Sequence, residues 1–137
     1  MLKLSDVRDY ISKCVSSVAD DENVYSGKLD DKKDKSIGVY NQKRGNTKLA
    51  AVGAEISYSV KSISVLVHWN KSQRETEAAA MSVYELIEQS SGYIGGKEVK
   101  YIKMSHEEPV DVQTDDNGIY EMVIEFDIYY ERQVINE

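Results

Sequence analysis

The side chains best able to bind a metal or act as nucleophiles are few. The chain has two histidines, His68 and His106, and a single cysteine, Cys14. Neither histidine has a second histidine or a cysteine at the spacing of a transition-metal ligand set, so the sequence predicts no metal site. His68 ends a strand-like run, where a partly buried ring with a satisfied nitrogen is usual. Cys14 lies in an apolar helical stripe and is interpreted as a small core residue.

Carboxylates are the other group that could do chemistry. Glu121, Glu125 and Asp127 are separated by four and two residues in one strand-like segment, so they share one face of the strand. Residues on one face of a strand are spaced along its length, so these three side chains do not converge on one reacting atom. A solvated or interfacial strand face explains them better than a catalytic cluster does.

A small metal-dependent nuclease is the best enzymatic alternative. It would use Asp111 with Glu121 or Glu125 as its acids, and Lys97 or Lys100 as the basic partner. The sequence contains no nucleophile elbow, phosphate loop or dinucleotide fingerprint. We therefore predict no catalytic residue, no cofactor and no enzyme. A small-ligand or regulatory module is a third class, and it would require a convergent apolar pocket.

The composition of the chain indicates the class of protein to which these residues belong. The chain has 137 residues, 41% hydrophobic and 30% charged, which predicts one globular domain over residues 1–137. Its net charge of −7 argues against general affinity for nucleic acids or membranes. A single cysteine excludes an internal disulfide and fits a reducing compartment. The N-terminal segment lacks a continuous apolar stretch, so we expect a cytoplasmic protein.

Two helices are predicted from apolar spacing. Apolar residues recur at three- and four-residue steps from Leu4 to Val18, which on a helix forms one stripe. Ser72 followed by Glu75 is a capping-box signature, and it opens a second helical segment that runs to Ser90.

The strands are predicted from alternation and turn residues. Asn23–Leu29 and Ser36–Asn41 are interpreted as an extended hairpin, followed by a basic, mobile loop over Gln42–Lys48. A long strand is predicted over Ala54–Trp69. Its apolar residues occupy even positions up to Val60 and odd positions from Ile63, and a bulge near Lys61 or Ser62 would return them to one face.

The later strands complete a mainly antiparallel sheet. Lys97–Met104 and Val110–Gln113 are strand candidates, and Asn117-Gly118 predicts a hairpin turn before the final strand, Ile119–Glu131. The fold class is therefore α+β, with a mixed, mainly antiparallel sheet packed against two helices.

Three strings resemble the tail-terminator and minor capsid proteins of bacteriophages and prophages. They are VYSGKLDDKKDKSIGVYN at 24–41, SISVLVHWNKSQRETEAAAMSVYELIE at 62–88 and GIYEMVIEFDIYYER at 118–132. The shared pattern is a lysine-rich hairpin ending in an Ile-Gly-Val-Tyr strand, a long strand entering an alanine-rich helix, and a final strand that closes on aromatic residues. The pattern spans most of the chain.

The resemblance implies a structural virion protein. Members of this kind form a ring, typically hexameric, on the completed tail tube, stop tube polymerisation and offer a surface for head–tail joining. Implied partners are further copies of the chain, the tail tube protein and a head-completion or connector protein, with DNA only passing through the channel and no membrane. Implied localisation is the virion tail or neck, after assembly in the host cytoplasm. Another neck or connector protein of similar fold is the alternative.

A ring subunit needs complementary patches on opposite sides, because each copy binds the next through two different surfaces. The basic loop and the acidic strand face are the candidates. The candidate assembly residues are Lys43, Arg44, Lys48, Glu121, Glu125, Asp127 and Glu131. The acidic set could instead line the channel, where negative charge would keep DNA from adhering.

Overall fold

The computed structural model describes residues 2–29, 33–42 and 58–132 of the chain. Two α-helices and seven strands are present in these ranges. In chain order they are α1 (Leu4–Cys14), β1 (Val24–Ser26), β2 (Ser36–Asn41), β3 (Tyr58–His68), α2 (Gln73–Glu88), β4 (Tyr93–Ile94), β5 (Lys97–Met104), β6 (Val110–Thr114) and β7 (Tyr120–Glu131).

The strands form one curled sheet in the order β1-β2-β3-β7-β5-β4, and β6 pairs with β7 beside β5. All neighbours are antiparallel except β1 and β2. Both helices and one face of the sheet contribute to a single hydrophobic core, whose centre includes Ile63, Val65, Ile124 and Phe126. The predicted class, α+β with a mixed, mainly antiparallel sheet packed against two helices, is confirmed.

The first helix lies where the stripe predicts it but ends earlier. It stops at Cys14, and the next residues form a turn in which the N–H groups of Val18 and Ala19 bond the carbonyl of Val15. β-branched residues and serine have weak helix propensity, which accounts for the early end. Cys14 is half-buried against the core, and burial raises the pKa of its thiol, in line with its interpretation as an inert residue.

The second helix begins at the predicted cap. The Ser72 hydroxyl accepts the backbone N–H of Glu75 at 3.3 Å, and the Asn70 side chain accepts the N–H of Ser72 at 2.9 Å. Ala80, Val83 and Ile87 are fully buried on its inner face. The hydroxyl of Tyr10 donates to Ser90 Oγ at 2.7 Å, which ties α1 to the end of α2.

The predicted hairpin between β6 and β7 is confirmed. Gly118 adopts a positive φ of 77°, a conformation that glycine reaches without steric cost. Asp115 Oδ1 accepts the backbone N–H groups of Asn117 and Ile119, each at 2.9 Å. The side chain of Asp115, the first residue of the turn, therefore stabilises the turn.

The predicted hairpin between β1 and β2 is wrong. The two strands pair in parallel, with Val24 opposite Ile37 and Ser26 opposite Val39. Just before β2, the Lys35 N–H bonds the carbonyl of Trp69 at 2.6 Å. Alternation buries Val24 and Ile37 equally well in either direction, so the pattern carries no information on strand polarity.

The predicted bulge in β3 is also wrong. β3 pairs with β7 in unbroken register, from Tyr58 opposite Glu131 to His68 opposite Glu121. The change of parity arises because Val60, Lys61 and Ser62 are all buried, so both faces of the strand are covered there. No extra residue is needed.

Two further features bear on the sequence predictions. Gln42 is described, and its side chain donates to the carbonyl of Ile63 at 2.8 Å. The rest of the predicted basic loop, 43–48, lies outside the described residues, as do residues 54–57 of the predicted long strand. No helix in the described ranges combines the length and apolar character needed to cross a bilayer.

Phe126 lies at the centre of the core and is fully buried. Replacing it with Ala removes most of a packed ring and leaves a cavity, so we expect a loss of about 3 to 5 kcal/mol in the free energy of unfolding. Urea denaturation of both proteins measures this loss. A variant of unchanged stability that fails only in assembly would contradict the structural role.

Lys61 sits on the core-facing side of β3, and burial lowers the pKa of its ammonium group. The folded protein therefore disfavours the charged form, and Lys61→Met should raise Tm at pH 7. The lysine pKa is about 10.4 in the unfolded chain and lower in the folded protein. Between these two pKa values the unfolded chain binds more protons at Lys61, so the stability of the wild type rises with pH. The Tm advantage of the variant should shrink over that window. Calorimetry at several pH values measures it, and an advantage independent of pH would contradict the explanation.

Candidate assembly surface

Strand β7 has two different faces. Ile124, Phe126, Ile128 and Tyr130 point into the core and are buried. The intervening residues lie on the other side, called here the polar face, and all are half-buried. On β7 it consists of Glu121, Val123, Glu125, Asp127, Tyr129 and Glu131. The predicted division of β7 into a core side and an acidic side is confirmed.

Three of the four acidic residues, Asp127, Glu131 and Glu121, make hydrogen bonds to neighbouring strands. Asp127 Oδ1 accepts the hydroxyl of Ser62 on β3 at 2.6 Å. Glu131 Oε1 accepts the backbone N–H of Glu98 on β5 at 3.0 Å. These carboxylates therefore contribute to the sheet itself, whatever else they contact.

Glu121 and Glu125 have different surroundings. Glu121 Oε2 lies 2.9 Å from Nδ1 of His68, its direct partner on β3, and its side chain is 18% exposed. Glu125 lies 3.6 Å from Nε2 of His106 and its side chain is 37% exposed. Glu125 is thus the more accessible of these two charges for a partner.

The acidic residues do not converge on one point. At a strand rise of about 3.3 Å per residue, Glu121 and Glu125 are roughly 13 Å apart along β7, and Asp127 and Glu131 are separated by a similar distance. The four acids are therefore spread along the length of the strand and do not all converge on one reacting atom.

The basic residues named for the nuclease alternative lie far from Glu121. Asp111 pairs with Met122, the neighbour of Glu121 on β7. Lys100 bonds Glu98 at 2.6 Å, and Lys97 lies over the ring of Tyr130. Tyr130 is about 30 Å along β7 from Glu121, at the same strand rise. The proposed basic partners are therefore remote from this acid.

Strand β6 presents an edge that the sequence analysis did not identify as a surface. Among the described strands it pairs only with β7, and all its residues are exposed. Val110 and Val112 are 41% and 46% exposed. An exposed edge strand offers unpaired backbone groups to another chain. Alternation predicted the strand, but only the sheet order reveals that it is an edge.

A groove runs beside β6. It lies between the first half of α2 and the segment that enters β6, and its lining includes Thr76, Met81, Pro109 and Met122. Glu77, Glu108 and Asp111 also line the groove, so the exposed apolar surface at this end of the sheet comes mainly from Val110, Val112 and Met81. We call the exposed residues of β6, Val110–Thr114, the β6 edge.

Aromatic rings cross the other end of the sheet. Tyr129 lies with its ring centroid 5.7 Å from that of Tyr58 on β3 and 5.7 Å from that of Tyr101 on β5. Tyr101 is 59% exposed. Such cross-strand pairs stabilise neighbouring strands, and here they join β3, β7 and β5.

One cluster was missed by the sequence analysis. His68, Asp115 and Glu121 bring one ligand atom each to within 4.8 Å of one another. The prediction of no metal-ligand set rested on local spacing around the histidines. The three residues are separated along the chain and meet only because β3 pairs with β7 and the β6–β7 turn folds beside them.

Comparison with protein families decides the class of protein. A family model described as bacteriophage tail terminator protein matches residues 6–132. The chain belongs to the bacteriophage tail terminator family. The match covers both helices except for the first residues of α1, and all seven strands. No curated protein matches the chain.

Membership identifies the chain as a structural protein of the phage tail, located in the virion tail and in contact with other tail or head proteins. The predicted family resemblance is therefore confirmed. The basic candidates Lys43, Arg44 and Lys48 lie outside the described residues, so their part in assembly stays a prediction, as does that of Glu121, Glu125, Asp127 and Glu131.

Glu125 and Asp127 form a matched pair for separating stability from assembly. Asp127→Ala should lower the free energy of unfolding by about 1 to 3 kcal/mol, because the buried hydroxyl of Ser62 loses a charged acceptor. Glu125→Ala should change it by less than about 0.5 kcal/mol, since this charge is exposed. Urea denaturation measures both, and equal losses would contradict the assignment of Asp127 to the internal structure.

Proposed function

We propose that this chain forms a ring that caps the phage tail tube, stops tube polymerisation and provides the surface to which the head is joined. The observation that carries the proposal is the family match over residues 6–132. The ring consists of copies of one domain spanning the chain, and six copies is the number that we expect. The protein acts without a catalytic site.

A non-catalytic role agrees with the polar face of β7. Asp127 and Glu131 are engaged in hydrogen bonds between strands. Glu121 bonds His68 on β3, and Glu125 is the remaining acid, roughly 13 Å from Glu121 along the strand. Carboxylates arranged in this way support a surface for contact, and they do not support an acid–base site.

The β6 edge is the proposed contact to a neighbouring copy. A closed ring uses heterologous contacts, in which one surface of each subunit meets a different surface of the next. An exposed strand edge with two accessible valines supplies backbone hydrogen-bonding groups and apolar area together. That combination favours a protein partner over a small ligand.

The charged candidates supply the second part of the assembly proposal. Lys43, Arg44 and Lys48 are suited to an acidic neighbour, and Glu125 is the accessible acid on the polar face. Complementary charge steers docking and sets its register more than it adds affinity. In the assembled ring, the acidic residues Glu121, Glu125, Asp127 and Glu131 would face either the adjacent copy or the channel through which DNA passes.

The partners follow from this arrangement. They are further copies of the chain, the tail tube protein on one side and a head-completion or connector protein on the other. Assembly would take place in the cytoplasm of the host bacterium, and the finished ring would lie at the neck end of the virion tail. Assembly involves no membrane and no catalytic cofactor.

Tube assembly in the presence and absence of the protein tests capping. Purified tail tube protein should form tubes of unrestricted length alone, and tubes of limited length with rings at one end when this chain is added. Electron microscopy measures both, and native mass spectrometry gives the ring's copy number. If tube length is unaffected but the protein binds head-completion proteins, the chain is a neck or connector protein and the capping proposal is wrong.

Val112→Lys tests the β6 edge. Val112 is exposed, so the substitution should leave the free energy of unfolding within about 0.5 kcal/mol, while a charge placed in the contact should reduce the fraction of capped tubes. Tyr93→Lys is the control, because Tyr93 is 65% exposed and lies on β4, the last strand of the main sheet order. Normal capping by Val112→Lys, or equal loss in both variants, would place the contact elsewhere.

A further inference from the structure

The cluster formed by His68, Asp115 and Glu121 has the geometry of a metal-ion site. His68 ends β3, Glu121 is its direct partner on β7, and Asp115 opens the turn between β6 and β7. His68 is fully buried, and the Asp115 and Glu121 side chains are 17% and 18% exposed. The cluster therefore has a buried nitrogen ligand and two carboxylates that still reach solvent.

Two distances within the cluster are close to those of a tetrahedral ligand shell, and all three ligand atoms lie within 4.8 Å of one another. Nδ1 of His68 lies 2.9 Å from Glu121 Oε2 and 3.7 Å from Asp115 Oδ2. Zinc–ligand bonds of about 2.0 to 2.1 Å at tetrahedral angles place neighbouring ligand atoms roughly 3.3 Å apart. The two observed separations lie on either side of that value.

A second observation points to a missing positive group. Asp115 Oδ2 is buried and has no hydrogen-bond partner among the described residues, although Oδ1 accepts two backbone N–H groups. An Nδ1–H of His68 directed at Glu121 leaves Asp115 Oδ2 3.7 Å from Nδ1, beyond hydrogen-bond distance. An ion bound by all three atoms would satisfy the orphaned oxygen.

We propose that His68, Asp115 and Glu121 bind one Zn²⁺ ion, which braces the β6–β7 hairpin against β3. An imidazole with two carboxylates suits zinc better than the oxygen-preferring ions Ca²⁺ and Mg²⁺. The fourth ligand is water, admitted past the partly exposed carboxylates. The proposal rests on the geometry of these residues and does not depend on tube capping.

The expected consequence is a stiffer β6 edge. Asp115 stands between β6 and β7, so a bond from its side chain to an ion held by His68 and Glu121 links the hairpin turn to the centre of the sheet. An ion that binds only the folded chain also raises the free energy of unfolding. Zinc should therefore raise Tm by several degrees.

The test uses the full chain without an affinity tag, after dialysis against a chelator. Isothermal titration with Zn²⁺ should give one ion per chain, and Co²⁺ should give the visible absorption of a tetrahedral complex. Asp115→Asn keeps Oδ1 as an acceptor for the turn and removes one ligand, so zinc affinity should fall at least about tenfold, as it does for less direct changes around metal ligands. If Asp115→Asn fails to fold by circular dichroism, Glu121→Gln replaces it.

Two control variants make the result specific. Asp111→Asn changes a carboxylate on the same hairpin that accepts the N–H of Gln113 at 2.8 Å but lies outside the cluster. His106→Gln removes the other histidine, which is half exposed beside Glu125. Both should bind zinc like the wild type. Absence of zinc binding by the wild type, equal affinity in the ligand variant, or loss of binding in His106→Gln would each overturn the proposal.

Discussion

The pairing of β3 with β7 is the constraint on which the rest of the structure depends. It runs without a shift from Tyr58 opposite Glu131 to His68 opposite Glu121. This register turns Ile63, Val65 and Val67 toward the helices, in line with Ile124, Phe126 and Ile128. Because side chains alternate along a strand, a slip of one residue would move this whole apolar set to the other face. Core packing therefore determines which polar residues share the second face.

The length of β7 explains how one small chain supports several surfaces. β7 pairs with β3 along one side, and with both β6 and β5 along the other. β6 is left with an exposed edge, while Tyr101 on β5 and Tyr58 on β3 join Tyr129 near the far end. An apolar edge and an aromatic end are thus held at opposite ends of one rigid element. A tail component that contacts different neighbours needs this kind of separation.

Charge on the polar face has two roles that depend on burial. Asp127 and Glu131 accept hydrogen bonds from neighbouring strands, where low exposure makes such bonds strong. Glu125 is the accessible exception. Lys61 shows the opposite case, because the residue is buried and burial lowers the pKa of its ammonium group. An acidic strand face in the sequence therefore does not by itself indicate a binding surface.

Local pattern in the sequence was sufficient to determine both helices, the bounds of β2 and β5, the β6–β7 turn and the two sides of β7. These features depend on residues that are close together in the chain, and apolar spacing, capping and turn chemistry report them directly. The strings quoted from the sequence also led to the tail terminator family, which the family match confirmed. Strand direction is different: Val24 and Ile37 are buried equally well by parallel and antiparallel pairing, so the sequence pointed to a hairpin that does not exist.

Tertiary structure decided what depends on distant residues. It placed β6 at an edge, covered both faces of β3 near Lys61 where a bulge was expected, and joined Asp127 to Ser62. It also brought His68 together with Asp115 and Glu121. No local spacing encodes such a meeting, because it results from the register of two long strands. The sequence gives the type of each side chain, whereas strand pairing in the sheet determines which distant side chains become its neighbours.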